Sequence, residues 1–497
     1  MPRLPPELLT HIALYLEADI STFIVCARVC RQWQSVFENL IYRNMKVESD
    51  DLKLRRGVIS LLQFRNLVSG HNEYRRSFIQ RLEYTVIIPH KLLDYRAVKL
   101  EGYHDQNPVR EANDRAFWTG LKSLFEFLRT WDKSPKFTLA LAVQGRDEGL
   151  EPDTEIREDA YAWQVELDGD QVVGQYRARF PDASMLPLVT CFDGLSFEWT
   201  HGLIWAGTAM QIAESCLTLQ QLHLDMRDLS RPDHLWYMRD RRQAVASRLA
   251  CLPSTLRVLE FVGGLEQPWS NTLPALDLRP VNSNIDEFSA SVRLCSSNLR
   301  ELILSSMSMN TDFLCPLDDS GSPISEISSL HWPYLESIVL ESVPGHLPSG
   351  EWLFDYELDT GDEDEFLDPA TGDDIFESPW LNGAYQLYRD VMHTEYFHRL
   401  FISLGYAAQR MPLLKTISFN LCLPPVTEFK FSSGSTGAGT KPSLKFKSES
   451  GYTPDRRVAV AWGFSLDQLV VETPWLKRDP GFTQCSVILD NKLSCNE

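Results

Sequence analysis

The N-terminal 45 residues carry the densest apolar patterning in the chain. Leu8, Ile12 and Leu16 recur at i, i+4 and i+8 with Leu9 and Ala13 beside them, which predicts a helix with a broad apolar stripe. Leu4-Pro5-Pro6-Glu7 precedes it; proline is tolerated in a first helical turn, and an acidic side chain there suits the helix dipole. Glu17-Ala18-Asp19 interrupts the pattern, and Asp19 or Ser21 can cap a second helix bearing Ile20, Phe23, Ile24 and Ala27. Trp33, Val36, Phe37, Leu40 and Ile41 then fall at relative spacings 0, 3, 4, 7 and 8, which predicts a third helix. A unit this small sits near the lower limit for folding alone, and it holds more apolar side chains than one small bundle hides. The surplus is covered either by the rest of this chain or by another protein.

Residues 46–80 are charged and helix-prone and read as a helical linker. Beyond them a hexapeptide recurs as Leu-x-x-apolar-x-apolar: LQQLHL from Leu219, LRVLEF from Leu256, LRELIL from Leu299, LESIVL from Leu335 and LKTISF from Leu414. The intervals are 37, 43, 36 and 79 residues, the last near twice the mean of the others. Within each hexapeptide the final apolar positions alternate as in a strand. Helical patterns precede most copies, as in AGTAMQIAESCL, RRQAVASRLACL, IDEFSASVRLC and EYFHRLFISLGYAAQRM. RLEYTVII and the helix–strand pattern around FWTGLKSLFEFLRTWDKSPKFTLAL extend the series toward the N-terminus. Helix then strand, repeated, predicts an α/β fold of parallel strands side by side with helices outside. The loops that follow the strands, around 262–283, 305–328, 342–380 and 421–457, then gather along one edge, where recognition usually sits. The alternative is a different α/β fold in which five hexapeptides recur by chance.

Two resemblances follow from these residues. Leu4-Pro5-x-Glu7-Leu8, Ile12, Leu16, Asp19-Ile20 and Val29-Cys30-Arg31-x-Trp33, in that order, resemble the F-box. The resemblance implies a three-helix module that docks on the Skp-type adaptor of a cullin–RING (SCF) ubiquitin ligase. Carried over position by position, it nominates Leu4, Pro5, Leu8, Ile12, Leu16, Ile20, Val29, Cys30 and Trp33 for adaptor binding, some facing the adaptor and some in the module's own core. The chain departs from the family pattern near its end, where Leu40-Ile41-Tyr42 stands in place of a Leu-Trp pair. The hexapeptide series is similar to leucine-rich repeats in an irregular, long-period form, and the order of F-box then repeats resembles fungal F-box proteins. The expected organisation is an N-terminal three-helix F-box (1–45), a helical linker (46–80) and an irregular leucine-rich-repeat-like solenoid (81–497). The solenoid carries an acidic insertion at about 342–380 and a flexible loop at about 432–450. The expected function is substrate recognition within an SCF E3 ubiquitin ligase. The Skp adaptor, and through it cullin and RING subunits, binds the F-box, and a protein substrate binds the repeats. A non-degradative adaptor-bound scaffold, and a repeat-array binding protein without a ligase role, are the alternatives.

Charge narrows the partners. The formal net charge is −20, which argues against nucleic acid and against an anionic membrane surface, since both need clustered Lys and Arg. No run of about 18 apolar residues suggests a membrane span. MPRLPPELL does not read as a secretory leader, and ten scattered cysteines without a Cys-x-x-Cys pair read as reduced thiols. A cytoplasmic or nuclear location is expected. Residues 301–388 contain 19 Asp and Glu and no Lys or Arg. The densest part nominates Asp355, Glu357, Asp359, Asp362, Glu363, Asp364 and Glu365 as a partner-binding loop for a basic substrate, or as a solvated insertion. Trp352, Phe354, Tyr356, Phe366, Phe376 and Trp380 interleave with these acids, either as anchors for a partner or as pins onto the chain's own domain.

Catalytic chemistry is not legible. The sequence has no His-Glu-x-x-His, no Gly-x-Ser-x-Gly and no phosphate-loop pattern. Cys26 and Cys30 share helical spacing but lack two further ligands for zinc, and read as core residues. His393 and His398 are five apart and do not share a helix face well, and Cys485 and Cys495 have no histidine partner in view. No metal or cofactor is expected, and the chain reads as a non-catalytic subunit.

Overall fold

The computed structural model describes residues 5–15, 20–52, 54–55, 57–92, 99–101, 108–131, 136–149, 155–157, 176–181, 185–197, 204–226, 235–263, 274–281, 283–324, 330–355, 389, 391–421, 427–434 and 441–472. Three helices open the chain: α1 (Pro6–Tyr15), α2 (Ile20–Ala27) and α3 (Arg31–Arg43). The strands follow as β1 (Asn44–Glu48), β2 (Ile59–Ser60), β3 (Arg81–Leu92), β4 (Lys99–Glu101), β5 (Thr138–Gly149), β6 (Glu155–Arg157), β7 (Gly194–Phe197), β8 (Gln221–Asp225) and β9 (Val258–Val262). They continue as β10 (Glu301–Ser305), β11 (Ser337–Val343), β12 (Phe354–Asp355), β13 (Val391–Met392), β14 (Thr416–Leu421), β15 (Thr427–Ser432), β16 (Ser443–Ser448) and β17 (Val470–Glu472).

Among the described residues, thirteen strands form one sheet in the order β2-β1-β3-β5-β7-β8-β9-β10-β11-β14-β15-β16-β17. Every pair from β2 to β14 is parallel. Helices Pro108–Leu128, Ala206–Glu214, Leu235–Leu249, Glu287–Ser296 and Thr394–Ala408 lie between successive strands in the sequence, as parallel connections require. The five hexapeptides become β8, β9, β10, β11 and β14, side by side and in register.

That register explains the pattern. Leu222, Leu259, Leu302, Ile338 and Ile417 form one row across the sheet, and Leu224, Phe261, Leu304, Leu340 and Phe419 form the next. All ten are buried, as are the leading Leu219, Leu256, Leu299, Leu335 and Leu414. The rows run on through Leu195, Leu139, Leu82 and Met45, and through Phe197, Leu141, Tyr84 and Val47. Burial of each such side chain contributes about 1.5–3 kcal/mol, and no helix could bury its apolar face without the strands beneath it. Successive strands also share a turn: Ser306 and Ser342 occupy equivalent positions with φ of 55° and 52°.

Three regions differ from the sequence expectation. Residues 46–80 hold a helix, Leu61–Leu67, and a 3-10 helix, Gly70–Phe78, but also most of β1 and all of β2, so the sheet begins inside the expected linker. β1 starts directly where α3 ends. The sheet is not parallel throughout, because β14–β15 and β15–β16 pair antiparallel. Residues 422–426 are too few for a parallel crossover, which takes a dozen or more, and a hairpin is the short solution. The flexible loop expected at 432–450 is corrected accordingly: Ser443–Ser448 is a strand whose Leu444 and Phe446 are buried.

Candidate functional site

The N-terminal module has a core of its own. Leu9 and Ala13 of α1, Phe23 of α2 and Phe37 of α3 are buried, and the Phe23 and Phe37 rings lie 5.7 Å apart. Cys26, Ala27, Trp33, Val36, Leu40 and Ile41 pack around this centre. With these side chains inside, others of equal apolarity are left outside. Leu8 is 49% exposed, Val25 64%, Val29 62% and Tyr15 85%, and Ile12, Ile20 and Ile24 are exposed as well. Leu8, Ile12 and Tyr15 recur at i, i+4 and i+7 on α1, and Ile20 and Ile24 at i and i+4 on α2, so each helix presents an apolar stripe to solvent. Single exposed apolar residues are ordinary, whereas contiguous stripes mark interaction surfaces.

Of the residues nominated from sequence, Leu4 and Leu16 lie outside the described residues. Pro5, Leu8, Ile12, Ile20, Val29 and Cys30 are exposed. Cys30, read from its spacing as a core residue, instead stands at the N-cap of α3. Trp33 is half-buried and stacks on Phe37 at 5.4 Å, so it belongs to the module's interior. Ile24 extends the Ile20 stripe by one turn, a signal present in the sequence, whereas Val25 lies off that stripe and its exposure is visible only in the packing.

A polar clasp fixes this module to the 3-10 helix Gly70–Phe78. Glu38 of α3 is buried and accepts hydrogen bonds from Arg75 Nη2 at 2.7 Å, Tyr74 Oη at 2.8 Å and Gln34 Nε2 at 3.2 Å. The Arg75 guanidinium also lies 5.0 Å from the centre of the Tyr42 ring. Burial pushes the Glu38 carboxyl up, but the bonds from Tyr74, Gln34 and Arg75 outweigh it and hold the group below the ordinary glutamate value. Arg43 Nε donates to Gln80 Oε1 at 2.7 Å, and Gln80 N donates to the Arg43 carbonyl at 2.9 Å.

At the other end of the strands the connecting loops meet. Leu278 N donates to the Pro348 carbonyl at 2.7 Å, and Ser308 Oγ donates to the His346 carbonyl at 2.7 Å, which joins the segments after β9, β10 and β11. The acidic candidates begin here. Asp355 pairs with His393 Nε2 at 2.8 Å and with Arg389 at 3.8 Å, and β12 and β13 pair antiparallel, bringing together the chain on either side of the acidic run. Glu357, Asp359, Asp362, Glu363, Asp364 and Glu365 lie outside the described residues. Of the interleaved aromatics, Phe354 is buried against Phe397 and Trp352 receives the Arg389 guanidinium at 4.4 Å, so both are pinned to their own domain. Tyr356, Phe366, Phe376 and Trp380 are outside the described residues.

Among the described residues, no group of three His, Cys, Asp or Glu side chains could hold a metal ion, and no helix is long and apolar enough to cross a membrane. His398 is buried and hydrogen-bonds Tyr452 Oη at 2.9 Å, while His393 pairs with Asp355, so the two histidines serve separate contacts.

Residues 1–48 match the F-box-like family, and the chain therefore opens with an F-box-like domain, a non-catalytic module of protein–protein interaction. The matched region runs from the first helix to the end of β1. No curated protein matches the chain.

Proposed function

We propose that this chain is the substrate-recognition subunit of an SCF E3 ubiquitin ligase. The F-box-like domain docks on a Skp-type adaptor, and through it on cullin and RING subunits. The sheet domain is a diverged leucine-rich-repeat-like solenoid that captures a protein substrate. Residues 1–45 are the docking module, and residues 46–80, which contribute β2 and most of β1 to the sheet, couple it to the capture domain of residues 81–497. The acidic run from Asp355 to Asp374 adds long-range attraction for a basic substrate.

One observation carries the reading. The F-box-like domain closes its own core around Phe37 and still leaves apolar stripes on α1 and α2 in solvent, and Leu8, Ile12 and Ile20 of those stripes fall on the F-box pattern. The fusion of α3 to β1 supports the second half: a substrate held on the sheet is held at a set distance from the ligase, an effective-concentration effect. Co-expression with a Skp-type adaptor is the test. Co-purification of adaptor and cullin with the wild-type chain is expected; a folded chain that recruits no adaptor contradicts the proposal, and one that recruits adaptor without cullin contradicts the ligase role.

A further inference from the structure

Strands β8, β9, β10, β11 and β14 bury alternate side chains and turn those between them to the opposite, open face of the sheet. Along its flanks that face carries cations, some paired with acids and some not, since Lys430 of β15 lies in register beside Lys445 of β16. Lys46 Nζ pairs with Glu83 at 3.0 Å across β1 and β3, and Lys447 Nζ with Glu428 at 3.2 Å across β15 and β16. The centre is different. The outward positions of β8, β9, β10, β11 and β14 include no Lys or Arg. Glu301 and Glu341 have no cationic partner among the described residues, and Glu260 meets only His223, at 2.9 Å. Between these carboxylates lie Val258, Val262, Ile303 and Val339, half-buried on a face that no element of the described structure covers. Register places Glu260, Ile303 and Val339 in one row, with Glu301 beside Val258 in the next.

We infer that this central strip is a docking surface for a cationic segment of a partner protein, one that alternates Lys or Arg with aliphatic side chains. Apolar contact with the valines and Ile303 supplies desolvation, and the flanking carboxylates select against acidic or neutral chains. The inference rests on the proposed role of the sheet as the capture domain, and it names the chemistry captured.

Binding of synthetic peptides to the full-length chain tests it, read by fluorescence anisotropy. A peptide of alternating Lys and Val is compared with Lys–Ser and Glu–Val peptides of equal length. The Lys–Val peptide should bind best, and the triple variant Glu260→Gln, Glu301→Gln, Glu341→Gln should weaken it by about tenfold or more. Ser305→Lys is the second variant, because Ser305 lies in register between Val262 and Glu341 and a cation there repels the peptide while every carboxylate and apolar side chain of the strip is kept. Unchanged affinity in both variants, or no saturable Lys–Val binding, overturns the inference. Adaptor capture is followed in the same samples. Its loss with peptide selection intact removes the ligase reading and keeps this surface; its retention with no peptide selection removes the surface alone.

Discussion

Phe37 and Ile12 belong to the same small module, and their burial gives them opposite consequences. Phe37 is completely buried and touches both Phe23 and Trp33, so Phe37→Ala should cost about 3–5 kcal/mol and abolish cooperative melting of the module. Ile12 is 38% exposed, so Ile12→Asp should leave melting nearly unchanged while removing adaptor binding. Thermal denaturation followed by circular dichroism separates the two. Trp33 is a poor probe of docking, since its ring stacks inside the module. A second residue-scale prediction concerns His398. Burial lowers its pKa first, Arg457 adds to this, and Asp455 and Glu395 oppose it. The folded state therefore holds the ring neutral while the unfolded chain takes a proton near pH 6.5. Stability should fall as pH drops below about 6.5 and level off below the folded pKa, and His398→Phe should flatten that slope in urea unfolding across this range.

The clasp between α3 and the 3-10 helix Gly70–Phe78 acts on a larger scale. Glu38→Ala leaves the Arg75 guanidinium, 15% exposed, without its carboxylate, at a cost of about 1–3 kcal/mol. Amide hydrogen exchange should accelerate in α3 and in residues 70–78 ahead of the central strands. Equal protection in both chains would show that the fusion of α3 to β1 suffices without the clasp. Because the Glu38 pKa is lowered in the folded state, the clasp's contribution is complete above about pH 4.5 and is lost as pH falls through the folded value. Legibility varied element by element. The five hexapeptides announced their strands because each repeats the same buried spacing. β16 was hidden because Ser443-Leu-Lys-Phe-Lys-Ser sits among Gly, Ser and Lys, and two alternating apolar residues are a weak signal. β1 was hidden by its position against α3, with no turn residue between helix and strand. Of the docking module, the apolar stripes were readable but their division was not: spacing places Leu8 and Leu9 on adjacent parts of one helix surface, and only packing decides that Leu9 goes inside. Glu38 and Arg75 are 37 residues apart, and nothing local predicts that they meet.

Across the whole molecule the buried rows of Leu, Ile and Phe make the sheet one continuous core, reaching from β1 beside the docking module to β14. β12 and β13, which stand on either side of the acidic run in the sequence, pair with each other and join the chain before the run to the chain after it. Replacing residues 356–388 with a short Gly-Ser loop should therefore leave the melting temperature of the sheet domain unchanged. A large drop would mean that this stretch contributes to the core. On the proposed function, a Skp-type adaptor completes the exposed stripes on α1 and α2. The most direct measurement is titration of purified adaptor into the full-length chain by calorimetry, wild type beside Ile12→Asp and Val29→Asp. One-to-one binding by the wild type is expected, with none by either variant at unchanged melting temperature. A folded wild type that does not bind, or variants that bind equally well, would contradict the proposed function.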